Sequence, residues 1–131
     1  MVKSIAYLTF GGEFDPEQFQ RLVAELGGVR DAHGWDAVLQ RGSSVVWIDI
    51  LPVAPERRNE FVEVERLLGV VPHHQALLHC SSSAESEWLA AEIVVAAAAN
   101  WNSILRGFDA QPITMAELDK RIERRTRSLF R

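Results

Sequence analysis

The chain has 131 residues, 47% of them apolar and 24% charged, with one cysteine and a net charge of −4. That is ordinary globular usage for a single domain, which at this size buries roughly two-thirds of its extended-chain surface without staples. Lone Cys80 excludes an intramolecular disulfide, and the longest apolar run, Ile93–Ala99, is far too short to cross a bilayer.

Ser4–Phe10 reads as a strand from its β-branched and aromatic residues, ended by Gly11-Gly12. Asp15-Pro16-Glu17 then opens a helix: Asp as N-cap, Pro in the first turn, an acid beside the positive end of the dipole. Phe19, Leu22, Val23 and Leu26 share one face of it, and Gly27-Gly28 end it. After the polar stretch Arg30–Gly34, Trp35–Gln40 and Ser44–Leu51 form a hairpin around Arg41-Gly42-Ser43. Pro55 starts a helix running to about Leu68, with Phe61, Val64, Leu67 and Leu68 inward and Gly69 as its cap.

His74–Cys80 is the fourth strand. Ser82 and Glu85 have capping-box spacing and open a helix from about Ala84 to Asn100. Beyond Glu92 this helix has no polar face, so Ile93, Val94 and Val95 are all expected to be buried. Asn102–Phe108 gives a short fifth strand. Thr114 and Glu117 form a second capping box, before a basic helix striped by Met115, Leu118, Ile122, Leu129 and Phe130. The order β-α-β-β-α-β followed by α-β-α predicts a single α+β domain over residues 1–131. Its first six elements match a ferredoxin-like arrangement, a mainly antiparallel sheet with two helices on one face.

Among candidate site residues, Trp47 and Asp49 stand out. Alternation along Val45–Leu51 sends them to one face and Ile48 and Ile50 to the other. An exposed Trp beside a carboxylate is a plausible binding anchor; packing under a neighbouring element is the alternative. Glu60 and Glu63, three apart with Arg57 before them, fit a solvated acidic face that a partner could meet. Trp88 and Trp101 bracket the apolar helix and read as core or collar residues, with Trp35 completing the set of four. His73 and His79 would share a strand face roughly 20 Å apart, with His74 on the other. They read as solvated strand-end histidines, and no metal is expected. Cys80 shares the face of Ala76 and Leu78 and reads as a buried structural thiol.

Charge is uneven: residues 1–111 carry 8 Lys/Arg against 15 Asp/Glu, net −7, and residues 112–131 carry 6 against 3, net +3. An acidic body disfavours nucleic acid, whose phosphates supply most non-specific affinity, and favours a basic partner. The C-terminal cations Lys120, Arg121, Arg124, Arg125, Arg127 and Arg131 fit a docked amphipathic helix whose charge complements its dipole. Gly11-Gly12 lies beside Glu13 and Asp15, which would oppose a phosphate, so it reads as a turn. No GxGxxG, P-loop, GxSxG, HExxH or CxxC occurs.

Gly11-Gly12-Glu13-Phe14-Asp15-Pro16 after a strand resembles the opening of some small bacterial α+β proteins. Ser83–Trp101, Ile104-Leu105 and Ile113-Thr114-Met115-Ala116-Glu117-Leu118 are similar in style to the tails of bacterial immunity proteins, small intracellular inhibitors that block a cognate toxin. The resemblance covers about half the chain. It implies a stand-alone cytoplasmic protein without cofactor, acting by protein–protein contact; a monomer or homodimer is expected, and the charge and the short apolar run favour neither nucleic acid nor membrane as partner. Trp47, Asp49, Glu60 and Glu63 are the candidate contact residues from the chain's own pattern. The first rival is a small enzyme or ligand-binding domain with a pocket between the sheet and the apolar helix, using Asp49, His79 or Arg106. The second is a structural subunit that dimerises through the basic helix. The N-terminus, Met1 to Ser4, shows no apolar region of a secretory signal, and a reducing cytoplasm fits the single cysteine.

Overall fold

Alternating apolar residues sort the strands into two faces, and the computed structural model, which describes residues 2–31 and 33–131, keeps those faces on one sheet. In chain order the elements are β1 (Val2–Phe10), α1 (Pro16–Glu25), β2 (Val29–Arg30), β3 (Ala37–Arg41), β4 (Ser44–Pro52), a 3-10 segment (Pro55–Phe61) and α2 (Val62–Leu68). Then come β5 (His74–Ser81), α3 (Glu85–Ala98), β6 (Ser103–Arg106), β7 (Pro112–Ile113) and α4 (Met115–Arg124). The sheet order is β2-β3-β4-β5-β1-β6-β7, and every neighbouring pair is antiparallel. The class is α+β. The expected succession of elements is present, with two-residue strands β2 and β7 added at the sheet edges.

The inner face carries the main core: Ala6, Leu8 and Phe10 of β1, Leu39 of β3, Val46 and Ile48 of β4, Ala76, Leu78 and Cys80 of β5, and Leu105 of β6. Helix α3 covers it for a topological reason. Strands β5 and β6 are both antiparallel to β1, hence parallel to each other, and α3 must cross over β1 to join them. Ala90, Ile93, Val94 and Ala97 are fully buried there. Burying Ile93 or Val94 contributes about 1.5–3 kcal/mol each. Helix α1 lies beside α3, its N-terminus capped as the sequence predicts: the Asp15 carboxylate accepts from the Glu17 N–H at 2.9 Å.

Several expectations are corrected. Val95 is 42% exposed, because α3 turns that flank into an apolar groove of about 460 Å³ bordered by Leu26, Trp88 and Ile122. The expected Ser82–Glu85 capping box is not formed: Ala84 holds the N-cap position of α3 without a side-chain cap, and the Ser83 hydroxyl before it accepts from the Glu85 N–H at 3.2 Å. The predicted helix from Pro55 to Leu68 is a 3-10 segment followed by a seven-residue α-helix, and Leu67 points outward at 43% exposure. The final helix ends at Arg125 in a left-handed turn (φ 52°), so Leu129 and Phe130 belong to a C-terminal strap rather than to the helical stripe. Both are nevertheless buried in the core.

The ferredoxin-like placement of both early helices on one face is also corrected. Strands β4 and β5 are adjacent and antiparallel, and Val53 N–H donates to His73 O at 2.9 Å where they part. The segment between them is therefore a long hairpin excursion, free to fall on either face. The inner face is filled by α1 and α3. Phe61, Val64 and Leu68 accordingly form a separate small cluster with Val53 and Ile104 on the outer face. No helix among the described residues is long and apolar enough to cross a membrane.

Candidate binding face

The outer face is built by the residues that alternate with the core. Register aligns Val38, Trp47, His79 and Ile5 across β3, β4, β5 and β1, and Asp49, Leu77, Tyr7 and Arg106 across β4, β5, β1 and β6. The 3-10 segment and α2 cover the part near β6. The part over β4 and β5 is overlain by Trp35, delivered from the loop before β3.

That loop is held by its backbone. Asp31 and His33 adopt left-handed φ of 53° and 54°, followed by Gly34 at 86°. Asp31 N–H donates to Asp36 O, Asp36 N–H donates to Ile48 O, and the Asp36 carboxylate accepts from Ile50 N–H at 2.6 Å. Trp35 is thereby fixed with its ring centroid 6.3 Å from Trp47 and 4.8 Å, edge-on, from His79.

Asp49 and His79 meet beneath these rings, with Oδ2 3.3 Å from Nε2. The approach is not aligned as a hydrogen bond, and Nε2 has no such partner among the described residues. The His79 side chain is only 12% exposed, against 30% for Asp49. Burial pushes the imidazole pKa below its usual value, and the Asp49 charge pulls it the other way. His79 is therefore not the solvated strand-end residue the sequence predicts. His73 is exposed, and His74 faces inward, 5.6 Å from the Phe14 ring. Among the described residues no three His, Cys, Asp or Glu side chains gather around a possible metal position.

Trp47 and Asp49 thus lie on the outer face, away from α3, and Trp47 is half-buried beside Trp35 rather than exposed. Glu60 and Glu63 belong to the excursion on the same side of the sheet, both exposed. Glu60 lies in the last turn of the 3-10 segment and Glu63 in the first turn of α2, so they belong to two helical elements rather than to one α-helix. Arg57 grips Glu60 with two bonds, at 2.9 and 3.0 Å, and holds its carboxyl below the usual range. Arg66 stands 3.7 Å from Glu63. Most of the space between sheet and apolar helix is packed core, with hollows of about 360 and 350 Å³ at the strand ends, and Asp49, His79 and Arg106 lie on the opposite face. Cys80 lies in that core, 1% exposed, and burial pushes its thiol up to about 12. Sequence reasoning missed Trp35 as a site residue, and the signal was the His33-Gly34 pair directly before it, both at left-handed φ.

The basic C-terminus is partly structural. Arg121 donates to the backbone oxygens of Leu129 and Arg131 at 2.9 and 3.0 Å and pairs with Glu117. Comparison with known families, curated proteins and solved structures finds no match for this chain.

Proposed function

We propose that this protein works by binding another protein, and specifically as an immunity or inhibitor protein that blocks a partner toxin by direct contact. One observation carries this reading. Seven large apolar side chains are exposed among the described residues, and five of them, Leu51, Val62, Leu67, Val70 and Val71, fall within residues 51–71. Singly scattered exposed apolar residues need no explanation, whereas their concentration in one excursion supports an interaction surface there. The same segment carries Glu60 and Glu63 and flanks the face bearing Trp35, Trp47 and Asp49. Aromatic anchors within a charged rim are the usual anatomy of an interface. The net −7 of residues 1–111 favours a partner with a basic surface. The proposed setting is the cytoplasm, supported by the single unpaired Cys80, with no cofactor and with neither nucleic acid nor membrane as partner.

Co-expression with the toxin-like product of an adjacent gene is the test. Rescue of growth with a stoichiometric complex on size-exclusion chromatography supports the reading; neither rescue nor complex overturns it. The Asp49–His79 pair beneath two indoles favours a second reading, a small ligand-binding or enzymatic site. Turnover of a small molecule lost on Asp49→Asn would select that one.

A further inference from the structure

Five buried side-chain nitrogen or oxygen atoms have no hydrogen-bond partner among the described residues: Thr9 Oγ1, Arg30 Nε, Gln75 Oε1, His79 Nε2 and Arg106 Nε. Register places all but Arg30 Nε on the outer face of the sheet. Folded proteins leave few such atoms, and a group of them on one face needs a reason.

Three of them lie on neighbouring strands, Gln75 and Arg106 flanking the strand that carries Thr9. Thr9 of β1 stands opposite Gln75 of β5 on one side and Ile104 of β6 on the other, and Tyr7 stands opposite Arg106. Opposed and diagonal positions of this kind are within reach of long side chains. Thr9 is fully buried and Gln75 is 6% exposed. The Arg106 guanidinium carbon lies 4.9 Å from the Tyr7 ring centroid and 5.3 Å from that of Phe61. A guanidinium donates only in its own plane, so contact with ring faces leaves its donor edge free. Among the described residues no carboxylate oxygen lies within 4.0 Å of it. Glu60 is near enough for its charge to act on Arg106, but Arg57 holds its two oxygens.

The Thr9 hydroxyl can donate. A half-turn of the Gln75 amide puts its NH2 where Oε1 stands. In that amide orientation Arg106, Thr9 and Gln75 offer three donors, which suits an acceptor-only group. We propose that Arg106, Thr9 and Gln75 form a binding site for a carboxylate, carried by a small organic acid or by an acidic side chain of a protein. A single cation with Glu60 nearby favours a monoanion over a phosphate dianion. Tyr7, Phe61 and Leu77 around it suit an apolar or aromatic body. Phe61 lies against the Arg106 guanidinium, and it belongs to the small outer cluster rather than to the main core. Entry therefore displaces the 3-10 segment and leaves the sheet intact.

Free acids test the site without any protein partner, so its failure is separate from failure of the partner-binding reading. Benzoate and the α-amide of N-acetylglutamic acid are titrated into the full chain while the Arg106 Nε–H resonance is followed by NMR. Benzoate is expected to give a saturable shift at millimolar concentration, with inorganic phosphate about tenfold weaker or worse. Saturation by benzoate alone assigns a small acid, and saturation by both assigns a protein side chain as well; either supports the site. Thr9→Val removes a hydroxyl that none of the described residues engages. It is expected to weaken benzoate about threefold or more without lowering the thermal midpoint. A lowered midpoint with unchanged binding, or no saturable shift with either acid in the wild type, overturns the proposal.

Discussion

Asp49 Oδ2 stands 3.3 Å from His79 Nε2, yet burial outweighs the carboxylate, and the imidazole is held toward its neutral form. The folded-state pKa is lower than the unfolded one, so the unfolded chain binds the extra proton between them. The stability His79 contributes is complete above the unfolded value of about 6.5 and is lost as pH falls toward the folded value. His79→Gln is expected to flatten the slope of stability against pH just below about 6.5. Urea midpoints across that range check it; an unchanged slope refutes it.

Helix α3 separates neighbouring residues sharply: Ile93 and Val94 are fully buried, and Val95 is 42% exposed. Ile93→Ala is expected to cost about 2–5 kcal/mol, and Val94→Asp more, through an unpaired buried charge. Val95→Asp should stay within about 0.5 kcal/mol, as surface changes do. Equal losses at Val94 and Val95 in denaturant titrations would show that the helix is rotated from this position.

How far the sequence reveals these features depends on whether the cause is local. Asp15 and Thr114 are visible as caps because N-cap chemistry acts within three residues: Asp15 accepts from Glu17 N–H and Thr114 from Glu117 N–H. Alternation placed Trp47 and Asp49 opposite Ile48, and Ile48 does lie in the core. What alternation lacks is any statement of which face each helix takes. The small α2 cluster went to the outer face because α1 and α3 occupy the inner one. Nothing within residues 55–68 records that competition. Val95 fails for the same reason: an all-apolar stretch gives no phase, and only the α3–α4 groove sets its exposure. Leu129 and Phe130 kept their core role while losing their helix, because burial is a demand of composition and helix length is not.

Glu87 on α3 supplies the anchor that the C-terminal strap needs. One of its carboxylate oxygens accepts from Ser128 Oγ at 2.7 Å, Leu129 N–H at 2.8 Å and Phe130 N–H at 3.3 Å. Glu87→Ala leaves two strap N–H groups unpaired and is expected to cost about 1–3 kcal/mol. The strap should then open more readily than the rest of the fold, since opening free energies differ across a structure. Faster carboxypeptidase trimming from Arg131, with faster amide exchange at Leu129, is the expected outcome. Exchange rising equally over the whole sheet would mean that Glu87 stabilises the fold as a whole instead.

The partner-binding proposal makes a kinetic statement that separates charge from anchor. Glu60 and Glu63 are exposed and already hold Arg57 and Arg66, so their reversal to Lys should leave the thermal midpoint nearly unchanged. With a basic partner, reversal should lower the association rate more than it raises the dissociation rate, and the effect should fade as salt rises. Trp47→Ala and Trp35→Ala should act in the opposite sense. They leave association nearly intact and speed dissociation, at about 2 kcal/mol or more if the two rings form the anchor. Surface plasmon resonance on the complex, at two salt concentrations, reads both. Tryptophan variants that bind like wild type, with the acid reversals alone effective, would move the contact off the outer sheet face and onto the 51–71 excursion.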